Sequence, residues 1–126
     1  MSLEEKRRDL LECLGAGCHP IRYKILSILD NACPFLERFP EFKGLYINEI
    51  AEKVGEDRRL IIFHLKAFEK LGMLQSNLAI IEEASTEAMG RLGRFFKLTE
   101  KGRIIFRGLW SLLRQIDFGV EKIEND

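Results

Sequence analysis

The residues of this chain best suited to chemistry are cations recurring at helical spacing. In EDRRLIIFHLKAFEKLGML, residues 56 to 74, Arg58, Arg59, Lys66 and Lys70 lie between an acidic start and a glycine stop. Guanidinium and ammonium groups so spaced pair with phosphate oxygens, and arginine also bonds guanine in a major groove. Arg58 and Arg59 fall in the first helical turn, where positive charge opposes the helix dipole; an anionic partner would offset that, and so would solvent. At about 100° per residue, Ile61, Leu65 and Phe68 form a core stripe with Leu60, His64 and Leu71 at its edges. Arg59, Phe63, Lys66 and Lys70 take the opposite side, with Ile62 beside Lys66 and Glu69. Two large apolar side chains, Ile62 and Phe63, therefore stand on a charged face. Burial of each is worth roughly 1.5 to 3 kcal/mol, so each needs cover. Thymine methyls, a protein partner, or cover from this chain or a second subunit would all supply it.

A second cationic group, Arg91 and Arg94 beside Gly90 and Gly93, sits where a projecting hairpin could reach phosphates or a minor groove. Glu82, Glu83 and Glu87 on the same element oppose that reading. Cys13, Cys18, His19 and Cys33 offer soft-metal ligands or redox groups, but without the close C-x-x-C pairs of a zinc site. His64 reads as a packed histidine, since no neighbouring motif supplies it with a catalytic partner. No carboxylate pair, nucleophile–base pair or phosphate-binding glycine loop is visible, so neither an enzyme nor a cofactor is expected.

The 126 residues fit one domain, 1–126, able to bury a core without disulfides or metal. With 20 basic and 20 acidic residues, no global positive field exists, so any nucleic-acid contact must rest on a local patch. No apolar run approaches the roughly 18 residues of a membrane helix. Without a signal core either, a cytoplasmic protein is the expectation.

Elements must hold these groups in place. Ser2 with Glu5 opens a first helix that runs to about Leu14, where GAG interrupts it; Pro20 opens a second with Ile21, Ile25, Leu26, Ile28 and Leu29 as its stripe. The connection DNACPFLERFPEFKGLY, residues 30 to 46, is long, and its two prolines forbid one continuous helix. Its Phe35, Leu36, Phe39 and Phe42 point to extra core, with a ligand pocket or partner surface as alternatives. LYI reads as a short strand, and Asn48 caps a helix that ends at Gly55. Asp57 caps the next, which closes at Gly72. Residues 48–72 thus form a helix-turn-helix, and MLQSNLAIIEE with RFFKLT a hairpin within 73–98. Thr99 caps a final helix with Ile105, Leu109, Leu112, Leu113, Ile116, Val120 and Ile123.

This mainly α order with a small β-hairpin resembles the winged helix-turn-helix repressors of the ArsR type. HPIRYKIL, INEIAEKVG, FHLKAFEKLGML and GRFFKLTEKGR match the family's words in order, over most of residues 19 to 103. The resemblance implies a homodimer that sits on double-stranded operator DNA and leaves it when a ligand or metal binds. NEIAEKVG has no cysteine, however, and 103–123 has Asp117 and Glu121 but no histidine. A small-molecule effector, a redox change or another protein is therefore the expected signal, if there is one. Phe106 and Trp110 widen the last helix's apolar face beyond one stripe. Helices 1–18 and 100–126 are accordingly expected to form the dimer interface through Leu10, Leu14, Ile105, Leu109, Leu112 and Ile116. A winged-helix module that binds protein is the alternative function, alongside a sensor built on the N-terminal cysteines.

Overall fold

The computed structural model describes residues 2–81 and 90–124, with side chains described as far as Ile116. Glu82, Glu83 and Glu87, and the side chains of Asp117, Val120, Glu121 and Ile123, lie outside the described residues.

Helix α1 (Leu3–Gly17) starts where Ser2 Oγ accepts the Glu5 amide at 3.2 Å. It does not break at GAG. Gly17 is buried, and a Cβ there would lie 2.6 Å from Leu109 Cδ1 and 3.3 Å from Leu26 Cδ1. Close packing of α1 on its neighbours offsets a glycine penalty of about 1 kcal/mol.

Helix α2 (Pro20–Arg38) is capped by His19, whose Nδ1 accepts the Ile21 amide at 3.2 Å. It continues through Pro34 and stops before Pro40, so one of the two expected breaks is absent. A proline inside a helix costs about 3 kcal/mol. Burial of Ile25, Leu26, Leu29 and Cys33, and an ion pair from Arg103 to Glu37 beyond the proline, hold the helix together. The segment after Pro34 adds little core: Phe35 and Phe42 remain half exposed.

Strand β1 (Leu45–Tyr46) leads directly into α3 (Ile47–Val54). The N-cap is Tyr46 rather than Asn48, with its amide donating to Glu49 Oε1 at 3.3 Å. Pairing of β1 with the sheet fixes the backbone two residues earlier than side-chain preference alone indicates. Gly55 ends α3 at φ 79°, and α4 (Arg58–Lys70) follows from Asp57, ending at Leu71 and Gly72 with φ 77°. Such positive φ values favour glycine because it has no Cβ.

Strands β2 (Leu74–Ile80) and β3 (Leu92–Leu98) pair antiparallel from Leu74↔Leu98 to Ile80↔Leu92, in a sheet of order β1-β3-β2. Helix α5 (Glu100–Glu124) begins at Thr99, whose Oγ1 accepts the Gly102 amide at 3.1 Å and donates to Gly72 O at 2.6 Å. One hydroxyl thus caps α5 and ties it to the turn that ends α4. The core runs through all five helices and the sheet, with Ile25, Leu29, Ile50, Leu65, Phe68 and Met73 among its deepest members.

Candidate nucleic-acid interface

Helix α4 divides as its periodicity requires. Ile61, His64, Leu65 and Phe68 are buried, while Arg58, Arg59, Phe63, Lys66 and Lys70 are exposed. Phe63 is 63% exposed. Ile62 is half buried against the core, so its own chain supplies part of its cover and the expected apolar pair separates.

Between α4 and the hairpin lies a cleft of about 560 Å³. Arg58, Lys66 and Arg94 line it from both sides, over a floor that includes Ile62 and Phe96, with Glu69 as the opposing charge. Arg94 Nη1 donates across the hairpin to Ser76 Oγ at 2.8 Å, which aims the guanidinium along the cleft wall. Arg91 is exposed near the start of β3, where Gly90 turns at φ 84°. Four of the expected cations, Arg58, Arg59, Lys66 and Lys70, therefore share the outer side of α4, and Arg94 faces two of them across the cleft.

His64 lies deeper than the helix edge, at 4% exposure. Its Nδ1 accepts from Arg22 Nε at 2.9 Å, and its buried Nε2 has no hydrogen-bond partner among the described residues. Burial lowers its pKa, and the neighbouring Arg22 guanidinium and His19 lower it further. The imidazole is thus held neutral as an acceptor, where it fastens α4 to α2.

Several positioning residues escaped the sequence reading. Lys101 Nζ donates to Leu71 O at 2.9 Å and pairs with Asp9 at 2.6 Å, placing a cation at the C-terminal end of α4. Lys24 does the same for α3 through Val54 O at 3.1 Å. Arg22 sits 6.0 Å over the Phe68 ring. Each lysine lies 30 residues in sequence from the helix-end carbonyl it meets, so only the three-dimensional arrangement reveals the pairing.

The cysteine set is not assembled. Cys13 is buried near Leu71 O, Cys33 is buried with its thiol 3.4 Å from Leu29 O, and Cys18 is exposed. Burial pushes the Cys13 and Cys33 thiols upward. Among the described residues no three His, Cys, Asp or Glu side chains gather to hold a metal.

Of the six expected interface residues, Ile105 and Leu109 are buried in the chain's own core and Leu14 is half buried, because α1 and α2 pack directly on that side of α5. Leu10, Leu112 and Ile116 are exposed. Leu3, Leu11, Ile104, Trp110 and Leu113, absent from the expected set, are exposed as well. The stripe of α5 that carries Ile105 and Leu109 is therefore covered by the chain's own core, and continues as exposed Leu112 and Ile116 farther toward the helix's C-terminal end.

No described helix is long and apolar enough to cross a membrane. No protein-family model matches the chain, and no curated protein does. Among solved structures it is similar to "Transcriptional repressor, CouR, bound to a 23-mer DNA duplex", at 20% identity and a TM-score of 0.53, over 88% of this chain and 68% of that one. The fold is a winged helix-turn-helix, mainly helical with a three-stranded antiparallel sheet, in which α3 and α4 are the motif helices and β2–β3 the wing.

Proposed function

We propose that this chain is a sequence-specific, double-stranded-DNA-binding transcriptional regulator of the ArsR type, acting as a repressor in the cytoplasm. The observation that carries the reading is the cleft where Arg58 and Lys66 of α4 face Arg94 of the wing, beside an outward Phe63. A neutral protein that concentrates cations on one helix face and its adjoining hairpin suits a local phosphate-binding surface. Phe63 adds an apolar group able to meet a thymine methyl. The CouR structure of the same fold is described as a repressor bound to a DNA duplex, which supports the same use here.

The active species is a homodimer. Leu10, Leu11, Trp110, Leu112 and Ile116 leave apolar side chains on α1 and α5 that the described residues do not cover, and two-fold pairing is the commonest way to bury such a face. The pair would present two α4 helices one DNA turn apart, about 34 to 36 Å.

Selection of bound sequences from a random duplex pool tests the reading, followed by a salt titration. An enriched, two-fold-related sequence is expected, with log affinity falling by roughly 0.9 per phosphate neutralised for each unit of log salt. A protein that enriches nothing at low salt is not a sequence-specific regulator.

A further inference from the structure

We propose that the cavity between the C-terminal end of α2 and the back of the hairpin binds a lipophilic organic cation, a bulky apolar or aromatic body carrying one positive charge. It encloses about 740 Å³, within the size range of small-molecule sites. Phe35, Phe42, Tyr46 and Phe95 supply four aromatic side chains to its lining. The Phe35 ring lies 4.9 Å from that of Phe39 and 5.2 Å from that of Phe42, and the Tyr46 ring lies tilted against that of Phe95 at 5.6 Å. This cluster nevertheless leaves Phe35 and Phe42 half exposed, although aromatic surface of that size gains from cover.

Charge selects the occupant. Among the described residues, Glu41 and Glu49 line the cavity against Lys43 alone, a net negative balance. Aromatic faces attract cations through their quadrupole, and carboxylates add to that attraction. A neutral apolar guest would use only the rings, and an anion would meet the wrong charge.

The site also has a route to the proposed DNA surface; that consequence, though not the binding itself, rests on the regulator reading above. Tyr46 lines both this cavity and the cationic cleft. It caps α3, and a Cβ on Gly93 would lie 2.7 Å from its Cε2, so its ring is pressed against the wing backbone next to Arg94. A guest that shifts the Tyr46 ring therefore presses on the start of the helix-turn-helix and on the wing together, and weakens DNA binding.

Calorimetry on the intact protein without DNA tests the binding, using tetraphenylphosphonium and the near-isosteric anion tetraphenylborate. The cation is expected to bind at least about 10-fold more tightly than the anion. Phe42→Ala should weaken it about 10-fold. Glu41→Gln combined with Glu49→Gln, which keeps an oxygen acceptor for the Tyr46 amide, should shrink the preference for the cation. No saturable binding, equal binding of the two ions, or an F42A protein of unchanged affinity overturns the proposal. So does a changed sedimentation coefficient in F42A, which would assign this surface to a second copy of the chain. Saturating tetraphenylphosphonium should also weaken binding to the selected DNA about 10-fold, and an unchanged affinity overturns the coupling through Tyr46. Failure to select any DNA would instead remove the regulator reading and leave the calorimetric result standing.

Discussion

Replacing Phe63 with alanine should weaken DNA binding strongly while leaving the fold intact. The side chain is 63% exposed. Taking an aromatic side chain as roughly 200 Å², about 125 Å² of it is available to a groove. At about 25 cal/mol per Å², full burial would contribute about 3 kcal/mol, or about two orders of magnitude in affinity. Incomplete burial and the cost of ordering the complex reduce this to a loss of roughly 10- to 100-fold. Because only about 75 Å² of the side chain is covered in the free protein, unfolding stability should fall by no more than about 2 kcal/mol. Fluorescence anisotropy with the selected duplex at fixed salt reads the first quantity, and urea denaturation the second. Repeating the selection with the variant should return a different preferred base where the ring sat. The double substitution Arg91→Ala with Arg94→Ala should instead weaken all duplexes alike and flatten the salt dependence. An F63A protein with wild-type affinity and preference would refute base reading by this ring, and equal uniform losses from both variants would do the same.

Further tests address the supports of the interface. The His64 pKa is depressed from its ordinary value of 6.5, so the unfolded chain takes up a proton first as pH falls. Stability contributed by neutral His64 is complete above that value and declines below it until the folded state protonates too; urea titrations at several pH values should show this slope reduced in His64→Asn, whose amide oxygen can still accept from Arg22. Gly102→Ala would place a Cβ 2.1 Å from the Met73 carbonyl oxygen, and should cost about 1 to 3 kcal/mol, read from the urea midpoint. Leu112→Asp with Ile116→Asp should convert the proposed dimer to monomer in sedimentation experiments while preserving helical circular dichroism, since both side chains are exposed in the single chain. A dimer that survives this pair of charges assembles through another face.

The local pattern of the chain determined much of this architecture. Apolar residues at helical spacing identified the buried stripe of α4, because a helix has one inward face whatever it packs on. Gly55 and Gly72 marked helix ends through positive φ, and Thr99 marked a start through its hydroxyl; these are interactions within a few residues. Tertiary contacts decided the rest. Helix α1 passes through its glycines because Leu109 and Leu26 leave no room for a Cβ at Gly17, and α2 survives Pro34 because residues distant in sequence bury and pair its flanks. The same kind of contact moved Ile105 and Leu109 into the core and left Leu112 and Ile116 outside. Ile62 and Phe63 were indistinguishable as neighbours on a charged face, since periodicity gives a direction around the helix and not what lies there. The hairpin and the core stand close enough to half-cover Ile62, while Phe63 points past them into solvent.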